Sequence, residues 1–305
     1  MAPDKHVRFF LEPSLRESAE ASGHNFLNKL SGVLRENGFQ IDYCADDPDT
    51  VDLALLDDGS YALFHMRHPV GPRSLVFRRV YHYPFWAIEP SAERWHWHTA
   101  RTAFRPDQID PEEAARFVRF WRKKLFGRSE HCPAGEGFLY LPLQGLLTEH
   151  RSFQSCAPVD MIRKVLELDP RPLVASLHPR EIYSEDDNAA LAELDDKYDR
   201  LTLTIGGMDR YLPACDAVVT QNSSVAFNGY FIGKPAVLFA DIDFHHIALD
   251  ARSNPKAAFL SLATHAPDYD RYLFWFWQMM SINAGRPEAE QSIRKSLQRA
   301  GWPIT

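Results

Sequence analysis

Cysteine is scarce in this chain of 305 residues: Cys44, Cys132, Cys156 and Cys215 are scattered and form no C-x-x-C pair. That spacing argues against a disulfide framework or a zinc ribbon, and reduced thiols in a cytoplasmic protein are expected. Long apolar runs are also missing. The best candidate, Tyr272 to Met280 (YLFWFWQMM), is far shorter than the roughly 20 residues a membrane-spanning helix needs. The opening residues MAPDKHVRFF hold no apolar segment and no cleavage site, so no secretory leader is expected. Positive charge is in deficit. Against 41 Asp+Glu stand 34 Lys+Arg, a net charge of −7, which removes the global positive field that duplex binding exploits; nucleic acid is not an expected partner. The chain has no G-x-G-x-x-G, Walker A, G-x-S-x-G or H-E-x-x-H sequence, so no nicotinamide, flavin or other cofactor is supported. It has no internal repeat and no low-complexity segment.

What is present is ordinary globular material, 45% apolar and 25% charged, with 20 Phe and 7 Trp as core stock. The length is about twice that of a usual domain. A strand over His6–Leu11 precedes a loop at Ser18–Asn25. A helix follows on the apolar spacing Phe26, Leu27, Leu30, Val33 and Leu34, and Asn37-Gly38 ends it. A strand over Phe39–Cys44 completes a β–α–β unit. Further strands are predicted at Val51–Leu56, Tyr61–Met66 and Leu75–Val80. The aromatic stretch Tyr81–Trp97 is too irregular for either element. Asp110-Pro111 opens a helix to about Leu125, whose later part, Arg116 to Arg128, is strongly basic. That basic end suits an anionic membrane surface or a lipid-linked acceptor; a solvated helix packed by one apolar face is the alternative.

Phe126–Gly137 reads as a linker, after which β/α alternation restarts. Strands are predicted at Gly137–Leu143, Pro172–Leu177, Leu201–Ile205, Asp216–Thr220 and Pro235–Phe239. Helices are predicted at Val159–Leu168, Asp186–Tyr198 and Ser224–Ile232, and the tail from Pro267 reads as largely helical. The expected fold is α/β, with two doubly wound Rossmann-like domains facing a cleft. The first spans 1–130, the second 131–266, and a helical tail, 267–305, crosses back onto the first.

Ligands of such sheets sit at the carboxyl ends of strands. Two constellations fall there in the second half. His178 emerges from the strand ending at Leu177, followed by Pro179, Arg180 and Glu181; an imidazole there can donate to a phosphate or a leaving oxygen. The run Val218–Thr220 leads into Gln221-Asn222-Ser223-Ser224 and then a helix, an anion-binding start as well as an ordinary N-cap. With Tyr140-Leu141-Pro142-Leu143-Gln144 and the whole of Asp216–Phe239 (DAVVTQNSSVAFNGYFIGKPAVLF), these residues resemble the capsule polysaccharide biosynthesis family of GT-B glycosyltransferases, which includes bacterial Kdo transferases. The resemblance covers residues 137–240. It implies a CMP-activated acidic sugar as donor, with Gln144, His178, Pro179, Arg180, Gln221, Asn222, Ser223, Ser224 and Asn228 around it and no metal required. The chain departs from the family at two points. Asn228-Gly229 stands where Glu-Ala is common, and Thr148, followed by Glu149, stands where an Asp is frequent. Catalytic candidates are therefore His178, with Glu149, His150 and Glu181 as acceptor-side bases.

Other expectations are local. His245 and His246, in the loop DIDFHH, face donor or acceptor as a hydrogen-bonding loop rather than a metal grip, since adjacent residues share no face. His24 and Asn25 open the first helix on the acceptor side, and Arg67 with His68 follows a strand there. His82, His96 and His98 among Trp86, Trp95 and Trp97 suit sugar stacking or a simple aromatic core. The function expected is transfer of a Kdo-like sugar from a CMP-sugar to a glycan or lipid-linked acceptor. Another nucleotide-sugar enzyme on the same fold (a UDP-sugar transferase or epimerase) and a non-catalytic glycan-binding partner are the alternatives.

Overall fold

The computed structural model describes residues 5–51, 59–127, 130 and 135–305. Its strands are β1 (His6–Leu11), β2 (Gln40–Ala45), β3 (Tyr61–His65), β4 (Ser74–Arg79), β5 (Phe85–Glu89), β6 (Leu139–Pro142), β7 (Leu173–Leu177), β8 (Leu201–Ile205), β9 (Ala217–Thr220), β10 (Ala236–Leu238), β11 (Leu249–Asp250) and β12 (Ile282–Asn283). Its helices are α1 (Pro13–Glu20), α2 (Asn25–Glu36), α3 (Pro48–Val51), α4 (His98–Arg101), α5 (Pro111–Phe126), α6 (Pro158–Leu168), α7 (Glu185–Lys197), α8 (Met208–Ala214), α9 (Ser224–Tyr230), α10 (Pro255–Ser261), α11 (Tyr269–Phe274) and α12 (Ala289–Arg299). They build a mixed α/β chain with two six-stranded sheets, divided into two compact units: residues 1–102 with 275–305, and residues 103–274.

In the first unit the strand order is β12-β5-β4-β3-β1-β2. The four strands β2, β1, β3 and β4 are parallel, whereas β5 and β12 are antiparallel additions, so this sheet is mixed and not purely doubly wound. Strand β5 is the element that the irregular-looking stretch Tyr81–Trp97 conceals. All five of its residues, Phe85–Glu89, are buried, which erases the alternation expected of a half-exposed strand. Helix α1 occupies Pro13–Glu20, where a loop from Ser18 is expected; Pro13 at its first turn is the signal for it. Val51 ends the turn α3 instead of starting a strand, and residues 52–56 of that expected strand lie outside the described residues, as does Cys132.

Strands β3 and β4 are parallel neighbours although only residues 66–73 join them. A crossover this short has no room for the usual helix. Val70 takes over its packing role, lying against Phe10, Ala62 and Phe64 on that face of the sheet. The opposite face carries the larger core: Phe9, Leu63, Phe77 and Trp86 from strands, Phe26, Leu30 and Val33 from α2, and Ile293 and Leu297 from α12. Gly38, at φ +81°, turns the chain from α2 into β2.

In the second unit every strand pair is parallel and the order is β11-β10-β9-β6-β7-β8. Numbered from β6 as first strand this is 3-2-1-4-5-6 read from β8, the doubly wound order. Alternate residues face opposite layers. Leu139, Leu141, Ala217 and Val219 pack with Ile162 and Val165 of α6, Leu191 of α7 and Phe259 of α10. Tyr140 points the other way, toward Tyr211 of α8, at 5.8 Å between rings. Both faces being covered explains why β6 and β9 are buried at every residue.

The compact units divide at 102/103 and 274/275, while the expected breaks are at 130/131 and 266/267. Helix α5 begins as expected, with Asp110 accepting from the Glu113 N–H, but it packs on α11 within the second unit. Phe117 meets Phe274 edge-to-face, and Arg122 donates to the Phe231 carbonyl and to Asp270. Of the expected linker, residues 128–129 and 131–134 lie outside the described residues. The chain re-enters the first unit at Trp275, and α12 packs on α2 and β5. Ile293→Ala should therefore destabilise the first unit by about 2–5 kcal/mol, since its side chain is fully buried between α12 and the sheet. Urea denaturation followed by tryptophan fluorescence reads this; a loss under about 0.5 kcal/mol would show the tail to be dispensable to that core.

Candidate functional site

In a doubly wound sheet the strand order reverses at one place, and the crevice outside the carboxyl ends there receives the ligand. In the second unit that place is between β6 and β9. The loop after β6 begins with Leu143 and Gln144; the one after β9 begins with Gln221, Asn222, Ser223 and Ser224. A small recess opens between them, lined by Gln144, Arg151, Met161, Thr220 and Gln221.

The recess is polar in an unusual way. Gln221 is only 4% exposed; its Nε2 donates to the Cys156 carbonyl at 2.9 Å, and its Oε1 is buried with no partner among the described residues. Arg151 Nε and Gln154 Nε2 are likewise buried and unpartnered. Gln154, 6% exposed, is held by its Oε1, which accepts from the Arg151 N–H at 2.9 Å, and by a bridge to Ala240. That bridge, with the Asp241 N–H donating to the Phe153 carbonyl, carries the β6–α6 connection across to the chain leaving β10. Buried groups of this kind are satisfied by ordered water or by polar atoms of a ligand. Arg151 and Gln154 are absent from the sequence-derived candidates. They follow no strand directly and belong to no motif, so only the fold brings them here.

Ser223 is 7% exposed and caps α9, its Oγ accepting from the Val225 N–H at 3.3 Å, while its own N–H donates to Thr220 Oγ1. Ser224 is exposed and Asn222 half-buried. Asn228 lies within α9, one residue before Gly229; a Cβ at Gly229 would stand 3.4 Å from the Lys234 side chain, so the helix is pressed closely onto that turn.

His178 follows β7, on the other side of β6 from β9, so its loop and the Ser223 loop share one edge of the sheet about 10 Å apart. Its ring is exposed. Nδ1 accepts from the Arg180 N–H at 3.2 Å, which leaves the proton on Nε2, and its backbone N–H donates to the Tyr183 hydroxyl at 2.7 Å. Burial raises the Tyr183 phenol. Pro179 and Arg180 are exposed beside it. Glu181 reaches back over the turn after β6: a Cβ on Gly145 would fall 2.7 Å from its Oε2, so a larger residue there would displace the carboxylate. Glu149 and His150 are exposed on the β6–α6 connection, His150 Nε2 bonding the Gln154 carbonyl at 2.8 Å. Thr148, where the resemblance leads one to look for a carboxylate, donates both its N–H and its hydroxyl to Asp187, at 2.9 and 3.0 Å. Burial alone would push the Asp187 carboxyl up; hydrogen bonds from Ser184 and Thr148 outweigh it and hold the group below the ordinary range.

His245 and His246 follow β10 at the same edge. Their rings stack at 4.2 Å, His245 Nδ1 bonds the Ile242 carbonyl at 2.7 Å, and His246 Nδ1 meets the Tyr272 hydroxyl at 3.2 Å. Asp241 is ion-paired with Arg252.

In the first unit the acceptor-side candidates separate. His24 caps α2, the second helix and not the first, its Nδ1 accepting from the Leu27 N–H at 3.2 Å and its ring edge-on to Trp86. Asn25 Nδ2 donates to the Ala284 carbonyl at 2.8 Å. His65, absent from the candidates, joins this group; its ring lies 6.4 Å from Trp86. Arg67 turns away to Asp46 at 2.7 Å and over the Phe64 ring, on the other face, and His68 is exposed. Arg67 lies past the end of β3, beyond Met66 at φ +66°, where the chain leaves the strand and its alternation no longer holds. Of the tryptophans considered for sugar stacking, Trp86 and Trp97 are core.

No family model matches the chain, and no curated protein matches it. Among solved structures it is similar to KpsC of Thermosulfurimonas dismutans, described as a β-Kdo 2,7 transferase, at 12% identity over 78% of this chain and 80% of that one, TM-score 0.45. It is also similar to a UDP-GlcNAc 2-epimerase of Neisseria meningitidis (10% identity, 96% and 99% covered, TM-score 0.35) and to the wall teichoic acid polymerase TagF (9%, 97% and 89%, TM-score 0.27). With identities and TM-scores this low, function is argued from the chain's own residues.

Burial, then the neighbouring His24 and Arg79, push the His65 imidazole down to about 4. The unfolded chain, with an ordinary imidazole near 6.5, binds a proton there that the folded unit refuses. Stability contributed by a neutral His65 is present above about pH 6.5 and is lost as pH falls toward 4, by about 3 kcal/mol at most. Denaturation midpoints at about pH 7 and about pH 4.5 should differ accordingly, and His65→Phe should flatten that difference; an unchanged slope in the variant would assign the titration elsewhere.

Proposed function

We propose that the chain is a glycosyltransferase of capsule or surface polysaccharide biosynthesis that moves an acidic, Kdo-like sugar from a CMP-sugar donor to a glycan or lipid-linked acceptor. One observation carries the reading: the loops that bear the family-like residues converge with buried, unpartnered polar atoms at the strand-order reversal of the second sheet. Gln144, Gln221 and Arg151 would contribute hydrogen bonds to the nucleotide part. The Asn222–Ser224 turn would present N–H and hydroxyl donors to the phosphate, with Arg180 adding charge.

The roles follow from the chemistry. As the glycosidic C–O bond to phosphate breaks, negative charge grows on the departing phosphate oxygen. His178, with its proton on Nε2, is able to donate to that oxygen, and fixed donors stabilise the charge without reorganising. Glu149 and Glu181 are the exposed carboxylates that would take the acceptor proton. Asp187 is a poor candidate for that task, because three hydrogen bonds from Thr148 and Ser184 stabilise its ionised form and weaken it as a base. His245 and His246 would border the donor.

Calorimetric titration with CMP, against UMP, UDP and GDP, tests the donor. Selective CMP binding is expected, weakened about tenfold or more by Arg151→Ala and by Ser223→Ala, with thermal melting verifying that each variant folds. Equal binding of every nucleotide, or none, would abandon the CMP donor. With CMP-Kdo and a surface-glycan acceptor, His178→Ala should abolish most product formation while CMP still binds; full turnover in that variant would remove the histidine from the chemistry.

A further inference from the structure

Helix α5 buries one face and leaves the other with a composition that its fold does not need. Ala114, Val118, Trp121 and Arg122 are buried, and the helix packs on α11. A helix with its apolar stripe so covered is expected to be polar on the far side. Instead Phe120 stands there with 61% of its surface exposed. Around it lie Arg116, Arg119, Lys123 and Lys124, all exposed and spaced three or four residues or fewer from it. Among the described residues none of these four cations is paired with a carboxylate; Lys124 rests instead over the Trp121 ring at 4.7 Å. The acidic residues of the helix, Glu112 and Glu113, are confined to its first turn, at the opposite end.

The contrast with the rest of the chain is what gives the patch meaning. A protein of net charge −7 concentrates four unpaired cations about one outward phenylalanine. Within a screening length of about 8–10 Å the local cations, not the overall charge, decide what binds. Cations alone suit any polyanion. A phenylalanine held in water at their centre suits only a surface with an apolar layer under its charge, which is the arrangement of an anionic lipid leaflet. We infer that the outer face of α5 is a docking surface for an anionic lipid bilayer, with Phe120 entering the headgroup–acyl boundary and Arg116, Arg119, Lys123 and Lys124 meeting the lipid phosphates. This inference is independent of the donor assignment, because α5 carries none of the residues proposed for the nucleotide.

Sedimentation with vesicles tests it, using the full chain. Phosphatidylcholine vesicles containing about one-third phosphatidylglycerol should bind the protein, whereas pure phosphatidylcholine should not, and added salt should release it. Arg119→Glu with Lys123→Glu should lower the partition coefficient about tenfold or more, and Phe120→Ser should lower it several-fold at unchanged charge. All three positions are exposed, so melting temperatures should stay close to that of the unaltered chain, and nucleotide titration should be unaffected. Failure of the unaltered chain to bind phosphatidylglycerol vesicles at low salt would overturn the inference. So would binding that survives both sets of substitutions. Binding to soluble polyphosphate that Phe120→Ser leaves intact, with no preference for vesicles, would also overturn it and make the patch a polyanion site.

Discussion

A parallel sheet covered on both faces leaves polar chemistry one place to go, the ends of its strands. In the second unit β6 and β9 are buried at every residue, so no side chain along their length meets solvent. The loops after them are where the chain is free to spend Gln, Ser, Asn and Arg. Because the strand order reverses between these two strands, their successive connections leave toward opposite faces and the loops do not crowd each other. Gln144 and Gln221 face the resulting gap, and the β6–α6 connection supplies Arg151 to it. The position of this site is therefore a consequence of topology. What the residues add is its hydrogen-bonding character.

The same constraint tells which features were legible from sequence. Strand β8 and the start of α5 match the expectation closely, since Leu201–Ile205 is bounded by Asp199-Arg200 and Gly206-Gly207 and Asp110-Pro111 is an unambiguous cap. The residues Gln221–Ser224 could be located because a buried apolar strand stops abruptly before them. Arg151 and Gln154 could not. They lie within a long irregular connection, and its pairing with the chain after β10, through Gln154 and Ala240, accompanies the placing of Arg151 at the recess. Strand β5 was hidden for the opposite reason. It is sandwiched so thoroughly that Phe85-Trp86-Ala87-Ile88-Glu89 shows neither the period of two nor that of 3.6 residues. Glu89 in particular masks it: a carboxylate that accepts from the His98 N–H while buried looks like a surface residue in sequence.

Local chemistry also divides the first unit into two faces. Odd residues of β3 look toward α2 and even ones toward Val70, so His65 joins His24 while Phe64 carries Arg67. His65 and Arg67, two positions apart, serve separate surroundings because the strand ends between them, at Met66 with φ +66°. The sequence spacing of Arg67-His68 suggests a partnership with His24 and Asn25, and the turn at Met66 sends Arg67 to Asp46 instead.

The first unit is assembled from both ends of the described chain. Its antiparallel edge, β12 against β5, and the helix α12 that covers the sheet come from residues beyond 274, after the entire second unit. During synthesis the ribosome delivers β1 to β5 first, yet the edge of β5 and the α2 face stay open until residues 275–305 emerge. The second unit, contiguous from 103 to 274, has all its strands in hand before that. The order of completion is thus the reverse of the order of translation: the unit that begins first closes last. In the interval an apolar sheet face and an unpaired strand edge are exposed together, the condition under which nascent chains depend on chaperones.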